Sequence, residues 1–201
     1  PPPPTPPPTG PPPPPGARQV LEAGSHVSSD AGLGGSEARF VEGLRQGIAW
    51  ASQARVLLAL ENTERSVTSV TETARYVREL DSPWLRLYVD IGNLVAAGHN
   101  VLTEIKAGAG YVAGVHVKDA RPGVFRDVPF GEGSVPFTAV FRTLWALNFS
   151  GPVMLEMWVD DSVDALEAIT RARQWVQARL DKSWEEWQAG RAVEAGEEVT
   201  S

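Results

Sequence analysis

The stretch VLLALENTERSVTSVTETARYVRELDSPWLRLYVDI (56–91) decides the architecture. It opens with a short unbroken apolar run, 56–61, of the kind that forms a parallel strand buried on both faces. Val67, Val70, Ala74, Val77 and Leu80 then recur at helical spacing on one stripe. A turn at Ser82-Pro83 leads into a second apolar run, LRLYVDI (85–91). Strand, helix and strand in this order are the unit of a parallel sheet joined by right-handed crossovers.

Working outward, the same alternation continues in both directions. Before Val56, the residues Phe40, Val41, Leu44, Ile48 and Ala51 predict a helix opened by Ser36 as its N-cap. After Ile91, a short helix near 101–108 precedes a third strand, YVAGVHVKD (111–119). The loop ARPGVFRDVPFGEGSV (120–135) leads to a helix that starts at Pro136, with Phe137, Val140, Phe141, Leu144 and Trp145 on its apolar stripe. The fourth strand is PVMLEMW (152–158), followed by a helix from about Ser162 to Trp187 with Leu166, Ile169, Val176, Leu180 and Trp184 expected to face inward. This α/β pattern of about four parallel strands with flanking helices fits half of a (β/α)8 barrel or a small open sheet, since a closed barrel takes roughly 250 residues. No Gly-x-Gly-x-x-Gly follows the first strand, which argues against a dinucleotide-binding open sheet.

Outside this body the composition changes. Residues 1–16 hold twelve of the seventeen prolines, and 17–35 are poor in apolar residues. Proline fixes φ and lacks an amide donor, so 1–35 is expected to be a disordered Pro/Gly-rich tail, 36–189 the folded half-barrel, and 190–201 a frayed acidic tail. The net charge of −7 carries none of the basic footprint of a nucleic-acid binder. The absence of cysteine removes disulfides and thiolate metal sites. No apolar run reaches the roughly 20 residues a bilayer span takes, and no basic-then-apolar leader opens the sequence, so no membrane partner and a cytoplasmic location are expected.

Each of the four apolar runs ends in an ionisable residue: Glu61, Asp90, His116 and Glu156. The C-terminal ends of parallel strands are where active sites form, and neighbouring strands lie about 4.8 Å apart. Taken singly, an acid there reads as a helix N-cap and the histidine as a hydrogen-bonded core residue. Taken together, four side chains on one edge make a hard, oxygen-rich set for a single divalent ion, Mn²⁺, Mg²⁺, Co²⁺ or Zn²⁺. Asn93, Lys118 and Arg121 follow these positions closely and are candidates to hold substrate, against plainer readings as a turn residue and solvated cations. Glu132 sits in a tight glycine loop, and Trp158 is read as a pocket wall or a rim residue.

The segments SPWLRLYVDIGNL (82–94), GVHVKDARPGVFRDVPFGEG (114–133) and GPVMLEMW (151–158) resemble those of L-ribulose-5-phosphate 3-epimerases, also called L-xylulose-5-phosphate 3-epimerases, of the xylose isomerase-like barrel superfamily. The resemblance runs from about Glu37 to Gln188 and matches the second half of the family's barrel. It implies metal ligation by Glu61, Asp90, His116 and Glu156, with Glu61 and Glu156 also serving as the acid/base pair. It implies a phosphorylated ketopentose substrate inverted at C3 through an enediolate. Pro-rich sequence stands where the family's first four strands would be, and the loop after Glu61 diverges. Open edges at the first and fourth strands are therefore expected to favour self-association. The alternatives are an isomerase of hexulose or pentulose phosphates, a truncated non-catalytic remnant, and an interaction module built on the polyproline tail.

Overall fold

The computed structural model describes residues 18–23, 33–65, 67–159 and 164–198. Its elements in chain order are β1 (Arg18–Ala23), α1 (Leu33–Ala54), β2 (Val56–Glu61), α2 (Val70–Leu80), β3 (Leu85–Asp90), α3 (Ile91–Ala96), α4 (Val101–Ala107), β4 (Val112–Val117), α5 (Phe137–Ala146), β5 (Val153–Leu155) and α6 (Ala165–Glu198). The strands form one sheet in the order β1-β2-β3-β4-β5, and every adjacent pair is parallel. Each strand sits beside its predecessor with no reversal of order. A doubly wound sheet reverses at a switch point, whereas an arc of a (β/α) barrel does not. The sequential order therefore selects the partial barrel over the open sheet.

Four expectations shift. A strand, β1, lies inside the segment read as tail and pairs with β2 from Arg18↔Val56 to Ala23↔Glu61. Its sequence, RQVLEA, has too few apolar residues to announce a strand, and pairing with a neighbour supplies what local propensity does not. The described sheet thus has five strands, and the open edges fall on β1 and β5 rather than on β2 and β5. Helix α1 begins at Leu33, so Ser36 lies within it rather than capping it. Helix α6 continues to Glu198, past the point where fraying was expected. Within α6, Val176 is buried, but Leu166 is 74% exposed, and Ile169 and Trp184 are also exposed. Residues 1–17, 24–32 and 199–201 lie outside the described residues.

Alternation along the strands divides the sheet into two faces. Leu58 and Leu60, then Leu85, Leu87 and Val89, then Val115 and Val117 join the buried cluster with Val70, Ala74 and Val77 of α2 and Val140, Phe141 and Leu144 of α5. One residue out of phase with these are Glu61, Asp90 and His116, with Glu156 just past β5. The period of two that buries the helix-facing set therefore puts all four polar residues on the opposite face, at the same edge.

Candidate metal centre

Glu61 and Asp90 are the last residues of β2 and β3, His116 is next to last in β4, and Glu156 follows β5 directly. One ligand atom from each lies within 4.8 Å of all the others. His116 Nδ1 is 2.5 Å from Glu61 Oε1 and 3.3 Å from Glu156 Oε2. Asp90 is fully buried, and Glu61 and His116 are each 7% exposed.

The two readings of Asp90 fall on different oxygens, and the N-cap reading is seen directly. Its Oδ1 caps α3 by accepting a hydrogen bond from the Asn93 amide at 2.8 Å. Its Oδ2 is buried without an aligned hydrogen-bond donor. A buried carboxylate oxygen whose one cationic neighbour is shared with a second carboxylate is costly, and three carboxylates around one point more so. A divalent cation relieves that cost, so the donor set fits a metal held by Glu61, Asp90, His116 and Glu156.

Electrostatics follow the same geometry. Burial, aided by the charge of Glu156 and opposed by Lys118, pushes the Asp90 carboxyl from 3.8 up to about 7. Burial also works to raise Glu156, but its hydrogen bond with Asp90 and the Lys118 ammonium outweigh that and hold it below the usual range. Burial disfavours the His116 imidazolium, yet the hydrogen bond and charge of Glu61, with Glu156 and Asp90, raise its pKa overall.

Lys118 is not a solvated cation. It is 3% exposed, with Nζ 3.0 Å from both Asp90 Oδ2 and Glu156 Oε1. Its stem fits because residue 92 is glycine: a Cβ there would lie 2.4 Å from Lys118 Cγ and 2.9 Å from the Lys118 carbonyl oxygen. Asn93 is buried, and its Nδ2 donates to the Asn62 carbonyl at 2.9 Å, which ties the loop behind Asp90. Arg121 is half exposed; its Nε donates to the Glu132 carbonyl at 2.9 Å, and its guanidinium lies 3.7 Å from the Glu132 carboxylate. Trp158 is 41% exposed, and its ring centroid lies 5.1 Å from Lys118 Nζ. It borders a cleft of about 500 Å³ that Glu156, Lys118, Phe130, Arg171 and Trp175 also line.

Three supporting residues are absent from the sequence reading. The Asn62 side chain exchanges two hydrogen bonds with the Asp90 backbone. Asp119 accepts backbone N–H bonds from Ala120, Gly131, Gly133 and Val135 and so gathers the 120–135 loop at the site. Tyr88 packs its ring 4.6 Å from that of His116, and its buried hydroxyl has no hydrogen-bond partner. Asn62 and Asp119 each follow or lie near a strand terminus, the one signal that pointed to them. Tyr88 shares the parity of Asp90 on β3.

Residues 15–179 match the family model described as xylose isomerase-like TIM barrel. The chain is 40% identical over 169 residues to the L-ribulose-5-phosphate 3-epimerase UlaE of Escherichia coli (strain K12), covering 84% of this chain and 60% of that protein. Among solved structures, that of an L-ribulose 3-epimerase matches with a TM-score of 0.73 at 19% identity, over 86% of this chain and 64% of the other. The 3-keto-D-glucoside 4-epimerase YcjR of Escherichia coli matches with a TM-score of 0.66 at 20% identity, over 80% and 63%. The chain therefore spans about 60% of the length of the curated relatives it matches, and its helix-wrapped parallel arc is that of these barrels. With the matched model covering most of the sequence, the chain belongs to the xylose isomerase-like TIM barrel family.

Proposed function

We propose that this chain is a metal-dependent 3-epimerase that interconverts L-ribulose 5-phosphate and L-xylulose 5-phosphate. The observation that carries the proposal is the convergence of Glu61, Asp90, His116 and Glu156 within 4.8 Å at one edge of the sheet. The name of the 40%-identical relative favours epimerisation over the isomerase alternative. A ketopentose phosphate is the corresponding substrate, in keeping with a cytoplasmic enzyme. Among the described residues no helix is long and apolar enough to cross a membrane.

The chemistry needs a proton removed from C3, next to the C2 carbonyl, and one returned to the other face. A divalent ion in this centre supplies a Lewis acid that favours the enediolate. Mn²⁺, Mg²⁺, Co²⁺ and Zn²⁺ all suit three carboxylates and an imidazole. Glu61 and Glu156 act as the proton-exchanging pair. They stand on β2 and just beyond β5, with β3 and β4 between them, which supports placing them on opposite sides of the reacting carbon. One carboxylate takes the C3 proton, and the C–H electrons move into the C2–C3 bond as the C2 oxygen gains charge. The other, in its acid form, returns a proton to C3 from the opposite face, and the carbonyl reforms. Without metal, His116 hydrogen-bonds to Glu61 and orients that carboxylate. Trp158 and Phe130 form an apolar wall of the cleft beside Glu156. Lys118, Asn93 and Arg121 were the sequence candidates for substrate contact. Lys118 lines the cleft and keeps that role in the proposal, while Asn93 is tied behind Asp90 and Arg121 to the Glu132 loop.

Pairing of copies through the outer edges of β1 and β5 belongs to the same proposal, because unpaired strand edges template further pairing. Sedimentation over a concentration series tests it. The activity is tested by incubating the chain with L-ribulose 5-phosphate and Mn²⁺ in D₂O. Appearance of L-xylulose 5-phosphate with deuterium at C3 is expected. No conversion with any of the four metals sinks the assignment.

A further inference from the structure

Lys118 has a place in this centre that ligand geometry does not require. Its ammonium is buried, 3.0 Å from Asp90 Oδ2 and 3.0 Å from Glu156 Oε1, two of the four metal ligands. Towards Glu156 it makes a hydrogen bond. Towards Asp90 Oδ2 it stands at the same distance as an ion pair. Lys118 thus bridges the two carboxylates. A flexible stem carries it, packed over Gly92, and the Trp158 ring and the 500 Å³ cleft lie beside its tip.

We propose that Lys118 is a tethered counter-cation that holds Asp90 and Glu156 together without metal and competes with the metal for them, so that it sets the affinity of the centre. The proposal rests on reading the centre as a metal site. Buried carboxylates need a positive partner, and an ammonium on the same chain supplies one at no cost in translational freedom. Asp90, Glu156, Glu61 and His116 would together hold a divalent ion, whose charge is twice that of the ammonium. With such an ion bound, the Lys118 ammonium would give up these contacts and turn to the Trp158 ring, whose face accepts a cation. Each metal bound must overcome both the lost Lys118 contacts and repulsion from the displaced charge. The ligands are consequently preformed, and the metal is held less tightly than four such ligands alone would hold it.

The sign of the effect separates this from a merely structural role. Removing a supporting residue weakens metal binding, whereas removing a competitor tightens it. Titration of the metal-free chain with Mn²⁺ by calorimetry is expected to give a dissociation constant about tenfold lower for Lys118→Met than for the unmodified chain, the equivalent of one modest ion contact. The metal-free Lys118→Met chain should melt several degrees lower and regain its stability when Mn²⁺ is added. Lys118→Arg keeps the charge and folds without metal, and it should leave the affinity within about threefold of the unmodified chain. Equal or weaker Mn²⁺ binding by Lys118→Met overturns the proposal. If Lys118→Met does not fold without metal, Lys118→Gln read against Lys118→Arg carries the same comparison. Failure of the unmodified chain to bind Mn²⁺ would instead overturn the metal reading itself.

Discussion

Asn62 and Asp90 are joined by two hydrogen bonds that run in opposite directions: Asn62 Nδ2 donates to the Asp90 carbonyl at 2.8 Å, and Asn62 Oδ1 accepts from the Asp90 amide at 3.0 Å. Strand β2 has ended at Glu61, so no β2 backbone group remains in register with Asp90. The carboxamide stands in for the missing strand residue and fixes the ligand by its backbone. Asn62→Ala leaves a buried N–H and a buried C=O without these partners. The expected cost is about 2–3 kcal/mol of unfolding free energy, with weaker Mn²⁺ binding as Asp90 loses its orientation. Urea denaturation and calorimetric titration measure the two effects. Asn62→Asp, which keeps shape but loses the donor and adds a charge beside Asp90, should be at least as damaging.

The 120–135 loop depends in the same way on Asp119. Its Oδ2 accepts from Gly131 at 2.8 Å and Gly133 at 2.9 Å, and its Oδ1 from Ala120 at 3.0 Å and Val135 at 3.3 Å. Gly133 has no room for a side chain, since a Cβ would lie 2.0 Å from Asp119 Oδ1. Asp119→Ala should destabilise the chain by about 2–4 kcal/mol, from lost charge-assisted bonds to buried amides. Limited proteolysis should then cut within 121–134 under conditions that spare the unmodified chain. Unchanged proteolysis would show that the loop holds without the carboxylate.

The four proposed ligands were legible because each closes an apolar run, and periodicity of two carries all of them to one face. What supports them was not. The sequence places Lys118 two residues past His116, but nothing local says that its stem threads over Gly92 to reach two carboxylates 28 and 38 positions away. Asn93 was expected at the substrate; the turn of the chain into α3 at Ile91, capped by Asp90 itself, faces its amide towards Asn62 instead. Strand β1 was hidden because RQVLEA owes its place to β2, a partner more than thirty residues on. Leu166 and Ile169 continue the helical stripe of α6 but lie beyond the elements that bury Ala172 and Val176, so the pattern ran further than the core.

Metal binding should depend on pH through Asp90. Burial raises this carboxyl from 3.8 to about 7, so the metal-free centre holds a proton there that the metal must displace. Affinity for Mn²⁺ is expected to rise as pH increases towards 7 and to flatten above it. His116, also raised, adds to the same trend. The linked effect on folding has a definite sign. A group whose folded pKa lies above its unfolded value favours the folded state at low pH and loses that contribution as pH rises through the folded value. The Asp90 contribution to metal-free stability should therefore decline between about pH 4 and pH 7, while the Mn²⁺-loaded chain should not show that decline. Calorimetry in buffers of different ionisation enthalpy counts the released protons, and thermal melts across the range read the stability. Mn²⁺ affinity independent of pH from 5 to 7 would contradict the burial argument.

Gly114 bears on the centre from below. A Cβ there would lie 2.4 Å from the Tyr88 ring, and that ring stands 4.6 Å from His116. Gly114→Ala cannot be accommodated by a flexible side chain, because the obstacle is an aromatic ring between two strands. The ring must move, and His116 with it. A loss of about 1–3 kcal/mol is expected from overpacking, together with weaker metal binding. Gly43→Ala serves as the control, since nothing lies within 4 Å of its added Cβ. It should be neutral or slightly stabilising, because alanine is favoured over glycine within a helix by up to about 1 kcal/mol.

The sharpest test of the proposed chemistry uses the separation of Glu61 and Glu156 on the sheet. If each serves one face of C3, replacing one should abolish inversion without abolishing every proton exchange. Glu156→Gln leaves Glu61 able to remove and return the proton of whichever epimer presents its C3–H on that side. That epimer should exchange C3–H for deuterium in D₂O while its configuration stays intact, and the other epimer should not exchange. Glu61→Gln should show the opposite preference. Net epimerisation should fall by about 10²–10⁴-fold in both, the usual contribution of a positioned acid or base. Proton NMR of the C3 signal reads exchange and inversion in one experiment, with Mn²⁺ content measured on the same samples to separate ligand loss from base loss. Retention of inversion by either fully metal-loaded variant would remove that glutamate from the pair. Loss of exchange in both epimers from one variant alone would point to a single base serving both faces.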